Sequence, residues 1–235
     1  MHHRIVVGLV AAALWAPLAQ AEPVTFHFTG VVEFAQGPSI GELLAPGVTG
    51  ADLIGTQISG WYTFDSAAPD TQGASFLGIY VSSGAPYEYV MQFAHRTFML
   101  NGVQIGVIVD FDNMQVTPGL KDDIYTAQRT GPHPTDPTLQ LRAYLDLIAS
   151  GTATDGPTTS LLNDSLPLVP PDLSGFTTRR VFMNVLDSSG SVVGGLGGTL
   201  TSLYVPEPAT TLLLVPAAVA LLARYRRRHR APGPP

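Results

Sequence analysis

Leu139-Gln140-Leu141-Arg142-Ala143-Tyr144-Leu145-Asp146-Leu147 decides the fold class. Apolar residues occupy every second position, and successive side chains of an extended strand point to opposite faces, so this stretch has one face to bury. The same alternation runs through Val24, Phe26 and Phe28 against Thr25, His27 and Thr29, and through Ile58, Gly60, Tyr62 and Phe64. Thr199 to Val205 reads as a last strand. Asn101-Gly102, between two apolar runs from Arg96 to Asp110, is the dipeptide that readily takes positive φ, and it predicts a β-hairpin. A second hairpin is expected where Val181–Leu186 and Ser191–Leu196 flank Asp187-Ser188-Ser189-Gly190. No long internal stretch carries a helical period with caps. The expectation is an all-β domain over residues 22–205, with ten to twelve antiparallel strands in a β-sandwich. A jelly roll or a barrel is the alternative.

Composition agrees with a turn-rich β protein. Of 235 residues, 45% are hydrophobic and only 13% charged, with 24 Gly and 20 Pro. Cysteine is absent, which excludes a disulfide framework, a thiolate metal site and a cysteine nucleophile. Charge is unevenly placed. Between Glu22 and Pro206 there are 17 Asp plus Glu against 6 Lys plus Arg, a net charge of −11. Neutralising phosphates needs a basic face, so nucleic acid is not an expected partner.

The two ends differ from the middle. Met1 to Arg4 is a short basic start, Ile5 to Trp15 is apolar, and Ala19 and Ala21 form the small-residue pattern of signal-peptide cleavage. A signal helix over 1–21 is therefore expected, handled by Sec-type export machinery and signal peptidase, with the mature chain starting at Glu22. At the other end, residues 209–223 are apolar except for Thr210 and Thr211, and Arg224, Arg226, Arg227, Arg228 and Arg230 follow. An apolar run followed by arginines is a stop-transfer arrangement, because guanidinium groups stay on the cytoplasmic side. This predicts a single transmembrane helix with the acidic domain on the periplasmic side of the inner membrane. Fifteen helical residues reach only about 22 Å of a hydrocarbon core near 30 Å, and Pro216 removes one helical hydrogen bond. Such a span is short for a permanent anchor. Residues 231–235 read as a disordered tail.

Immediately before this segment stands Val205-Pro206-Glu207-Pro208-Ala209. Pro-Glu-Pro, a short hydrophobic helix and a terminal arginine cluster together resemble the PEP-CTERM sorting signal of Gram-negative bacteria that make exopolysaccharide. The resemblance implies recognition by an exosortase, a membrane transpeptidase-like protease, at Pro206, Glu207 and Pro208, within a sorting signal spanning 206–230. It also implies release to the cell surface or beyond, in an exopolysaccharide or biofilm setting. A looser resemblance to a domain of exported PEP-CTERM proteins covers the run from Gly60-Trp61-Tyr62-Thr63-Phe64-Asp65 to Pro69-Asp70. It continues at Asn101-Gly102, at Leu166-Pro167 and from Pro171-Asp172 to Phe176. These read as architectural landmarks, and the resemblance implies no activity.

Candidate chemistry is sparse. Asp110, Asp112 and Asn113 can offer oxygens to calcium, with Lys121-Asp122-Asp123 nearby if the loop folds back, although the spacing is not that of the twelve-residue calcium loop. No cofactor is otherwise expected. Glu88 with Asp110 or Asp112 is the pairing a glycosidase would need. His27, His95 and His133 lack the spacing of zinc ligands. Gly194-Gly195-Leu196-Gly197-Gly198 lacks a following Lys-Ser or helix, so it reads as a bulged strand and not a phosphate loop. Trp61, Tyr62, Tyr80, Tyr87 and Tyr89 offer either a stacking platform for sugar rings or, as the favoured reading, core and cross-strand packing. The expected function is a non-enzymatic, exported envelope or matrix protein. The alternatives are a polysaccharide-binding or polysaccharide-cleaving envelope protein and a permanently anchored periplasm-facing domain.

Overall fold

The structure, a computed structural model, describes residues 22–37, 40, 47–93, 96–112, 121–150 and 160–206. Within them run ten strands: β1 (Pro23–Gln36), β2 (Gln57–Asp65), β3 (Leu77–Ser82), β4 (Glu88–Phe93), β5 (Arg96–Asn101), β6 (Val103–Asp112), β7 (Lys121–Pro132), β8 (Gln140–Ser150), β9 (Thr178–Leu186) and β10 (Val192–Tyr204). The helical turns with described bounds are α1 (Gly50–Leu53) and the 3-10 turn Leu173–Gly175. The chain is all-β, as its alternation implies. Among the described residues no helix is long and apolar enough to cross a membrane. The expected signal helix at 1–21, Glu207, Pro208, the 209–223 segment, the arginine cluster and the 231–235 tail lie outside the described residues.

Every neighbouring pair is antiparallel, in the order β3-β6-β7-β8-β9-β10-β1-β2-β4-β5. Hydrogen bonding thus runs through one sheet, where two separate sheets were expected. That sheet is strongly curled. β2 and β7 stand five places apart, which in a flat sheet is about 24 Å. Yet the hydroxyls of Tyr62 on β2 and Tyr125 on β7 are 2.8 Å apart in a buried hydrogen bond. The sheet therefore folds over and encloses its own core.

The long strands β1 and β10 explain why the sheet does not split. β10 pairs with β9 from Val192 to Thr199 and with β1 from Gly195 to Tyr204, while β1 pairs with β2 from Pro23 to Val31. Each of the two serves both halves. Register shifts at Thr29/Gly30, Val32/Phe34 and Val192/Gly194 bend them, as bulges do. The glycine-rich run at 194–198 is strand, as expected, in unbroken register with β9; the bulges lie beside it at Val193 and Thr201 and opposite it at Glu33 of β1. On the β1–β10 seam, Gly198 of this run and Gly30 of β1 are sterically required. A Cβ at Gly198 would collide with the Val31 carbonyl oxygen, and one at Gly30 would stand 2.7 Å from the Thr199 carbonyl oxygen.

β8 follows the alternation on which the fold was read: Leu141, Ala143, Leu145, Leu147 and Ala149 are buried and their neighbours are not. Phe26, Phe28, Tyr62, Phe64, Tyr89 and Tyr125 fill the middle of the core. Phe26 meets Tyr62 and Phe64 edge-on at 5.6 and 5.2 Å between ring centres, and Tyr62 stacks on Tyr89 at 5.7 Å.

One expected hairpin forms. β9 turns into β10 through Asp187–Gly190, where the Asp187 carboxylate accepts from the Ser189 and Ser191 amides and Gly190 takes φ +82°. The other does not. Asn101-Gly102 separates β5 from β6, but β5 pairs with β4 while β6 pairs with β3 and β7. Gly102 does have positive φ, at +84°, and spends it on a corner between the facing halves of the sheet. Its amide donates to the Tyr87 carbonyl at 2.8 Å, and a Cβ there would stand 2.6 Å from the Ser82 carbonyl oxygen. Thr199–Val205 is likewise no separate strand, because β10 runs through from Val192 to Tyr204.

Candidate functional site

The outward faces of the strands carry whatever chemistry the core does not absorb. On β1, β2, β4, β5 and the end of β10, register aligns these outward residues into rows. Tyr204, His27 and Trp61 lie side by side, followed by Val90, which has no exposed surface, and the exposed Met99. The adjacent row is Ser202, Thr29, Ser59, Gln92 and Thr97, all hydroxyl or amide side chains. Rows two residues apart along a strand are separated by about 7 Å.

In the aromatic row the His27 ring lies 5.8 Å from Trp61, nearly parallel at 23°, and 5.7 Å from Tyr204. The Trp61 indole N–H donates to the Glu88 carboxylate at 2.8 Å, which fixes the ring. Burial holds His27 below the usual histidine range, so it stacks as a neutral imidazole near pH 7. In the polar row the Thr29 hydroxyl bonds Ser202 at 2.7 Å and Thr201 at 2.9 Å, and the Gln92 amide reaches the Thr97 hydroxyl at 3.4 Å. Beside this row opens a groove of about 500 Å³ lined by Thr56, Gln57, Ser59, Gln92, Phe93, Arg96 and Thr97.

Of the five aromatic residues considered as a platform, Tyr62, Tyr80 and Tyr89 are buried, in line with the favoured packing reading. Trp61 and Tyr87 stay half-exposed. The groove residues Gln57, Ser59, Gln92 and Thr97 carry no motif. Their only signal in the sequence is an uncharged polar residue at the outward position of an alternating strand.

A second outward feature crosses the other half of the sheet. Phe34, Gly197, Phe182, Tyr144 and Gln128 form one row across five strands. Phe182 lies against Phe34 at 5.6 Å and stacks on Tyr144 at 4.7 Å. Its ring covers Gly197, where a Cβ would collide with it. Phe182 is only 8% exposed, while Phe34, Tyr144 and Gln128 on either side of it are half-exposed.

The backbone positions of the carboxylate candidates lie far apart along the strands. Glu88 faces Asn101 at one end of β5, and β6 begins two residues later at Val103. Asp110 and Asp112 lie toward the far end of β6, with about 23 Å of strand between Val103 and Asp110. Glycosidase carboxyl groups stand about 5 to 9.5 Å apart. The side chains of Asp110 and Asp112, that of Lys121, and all of Asn113 lie outside what the structure describes, as does His95. Asp123 is buried and accepts the Leu161 amide at 3.0 Å, an architectural task. Among the described residues no group of three or more His, Asp or Glu could hold a metal ion.

His133 is buried, and its Nδ1 accepts the amides of Thr135 at 3.3 Å and Asp136 at 3.1 Å. Only an unprotonated Nδ1 can do this. Burial pushes its pKa below the usual value, against an opposing pull from Asp136. The unfolded chain therefore binds a proton first as pH falls. The stabilisation from neutral His133 is present above about pH 6.5 and is lost as pH drops through that value toward the lowered native one. Urea unfolding at pH 7.5 and pH 5 is expected to show wild type losing more stability on acidification than His133→Gln; parallel curves would contradict it.

The landmarks of the looser resemblance have structural partners. Asp65 accepts the Ala67 amide at 2.8 Å at the end of β2, and Asp172 caps the 3-10 turn by accepting the Ser174 amide at 3.0 Å. No protein-family model, curated protein or solved structure matches the chain.

Proposed function

We propose that the chain is an exported, non-enzymatic cell-envelope or matrix module, led out by residues 1–21, held by a transmembrane helix at 209–223 and processed at Pro206-Glu207-Pro208 by an exosortase. One observation carries the reading. The β body starts and stops at the two expected cut sites. β1 begins at Pro23, one residue after the expected new terminus, and Glu22 is clipped to the end of β2: its amide donates to the Ser66 hydroxyl at 3.1 Å and its carbonyl accepts the Ser66 amide. Cleavage before Glu22 leaves every described strand intact. At the other end β10 finishes at Tyr204, and Val205 and Pro206 are exposed. A protease needs an extended, accessible segment, and prolines on both sides of Glu207 keep the chain from extending the sheet.

His27 pairs with Tyr204 across β1 and β10, so both expected cut sites leave the body from one region of the sheet. Such a body can be tethered to a membrane and released by cutting one strand end, without any rearrangement of the core.

The triple variant Pro206→Ala, Glu207→Ala, Pro208→Ala is expected to accumulate in its native host as a membrane-bound form retaining the tail, seen by pulse-chase and gel mobility. Processing at the wild-type rate would overturn the assignment of the motif.

A further inference from the structure

We propose that the groove on the β2–β4–β5 face binds an uncharged glycan chain, which runs from the groove across Trp61. The inference goes beyond export and sorting and stands on the geometry of the body alone.

The lining dictates the ligand class. Of the seven described residues around the groove, five are neutral hydroxyl or amide side chains: Thr56, Gln57, Ser59, Gln92 and Thr97. Each can donate and accept hydrogen bonds, which matches sugar hydroxyls that do both. Gln57 and Thr97 are exposed, and Ser59 and Gln92 half-exposed, so their polar ends are within reach of a ligand. A volume of about 500 Å³ falls within the usual range of small-ligand sites.

Other ligand classes fit less well. Among the described residues Arg96 is the one charged residue lining the groove, on a body of net charge −11, so a polyanion would be repelled overall. Among the described residues Phe93 is the one apolar member of the lining and is itself buried, so a greasy peptide or lipid chain would find little to cover there.

Ser59 and Trp61 are two residues apart on the same face of β2. That places the indole about 7 Å from the groove row, close enough for one chain to span both. Glu88 fixes the half-exposed ring, so stacking on it costs little ordering entropy.

The test uses the full chain carrying Trp15→Phe, purified in a polyoxyethylene detergent that contains no sugar. Trp15 and Trp61 are its two tryptophans, so emission then reports Trp61 alone. Cellohexaose, mannohexaose and xylohexaose are titrated separately by calorimetry, with a galacturonate hexamer as the charged comparison. At least one neutral hexamer is expected to bind saturably and to shift Trp61 emission. The double variant Gln57→Ala, Gln92→Ala is expected to weaken binding by about tenfold with its circular dichroism unchanged. Absence of heat with all three neutral hexamers, binding of the galacturonate hexamer alone, or unchanged affinity in the folded double variant would each overturn the proposal. None of these results bears on processing of the chain ends, which is read by mass.

Discussion

Tyr62→Ala is expected to lower the unfolding free energy by about 4 kcal/mol, within the range for truncating a fully buried aromatic side chain. The ring is wholly buried, packs on Phe26, Phe64 and Tyr89, and sends its hydroxyl across the core to Tyr125. Removing it opens a cavity between the facing halves of the sheet and takes away the partner of a second buried hydroxyl. The milder Tyr62→Phe keeps the packing and is expected to cost about 1 kcal/mol, the usual net worth of one such hydrogen bond. Urea unfolding separates the two. If Tyr62→Ala proved no worse than Tyr62→Phe, the ring would not bridge the halves and the curled sheet would be in doubt.

Gly198→Val is expected to be comparably damaging, at about 3 kcal/mol or more, by a different route. Here the obstacle is backbone. Even a Cβ at this position would run into the Val31 carbonyl oxygen across the β1–β10 ladder, and a carbonyl within a ladder cannot turn aside as a flexible side chain can. The variant must break pairing along the one seam that belongs to both halves. Valine at Gly73, where a Cβ meets nothing within 4 Å, supplies the comparison and is expected to be nearly neutral. Similar unfolding midpoints for the two variants would contradict the close approach of β1 and β10.

These variants mark where the fold was legible. The alternation at 139–147 and at 24–28 named the buried face residue by residue, because one side of each strand faces the core and the other does not. The Asp187–Gly190 turn was legible because its signals are local: an aspartate that accepts the next amides and a glycine at positive φ. Asn101-Gly102 misled for the same reason. Positive φ serves a hairpin and a corner equally, and the choice lies with the partners of β5 and β6, which no dipeptide encodes. One sheet in place of two was not legible either. The glycines at 30 and 198 advertise a close approach but not what approaches.

The groove was harder to see. Outward serine, threonine and glutamine are ordinary on a solvated strand, and only the register brings Ser59, Gln92 and Thr97 from three strands into one row. Trp61 stood out by type, while its stacking on His27 depended on the β1–β2 pairing. Phe182 broke the alternation of β9 because it packs outward, over Gly197.

The account as a whole turns on whether the chain is trimmed to the body that its strands define. Intact mass spectrometry of the protein recovered from its native host measures this directly. A species that starts at Glu22 and ends between Pro206 and Pro208 is the predicted result; a mature species still carrying Met1–Ala21 or Arg224–Pro235 would contradict it.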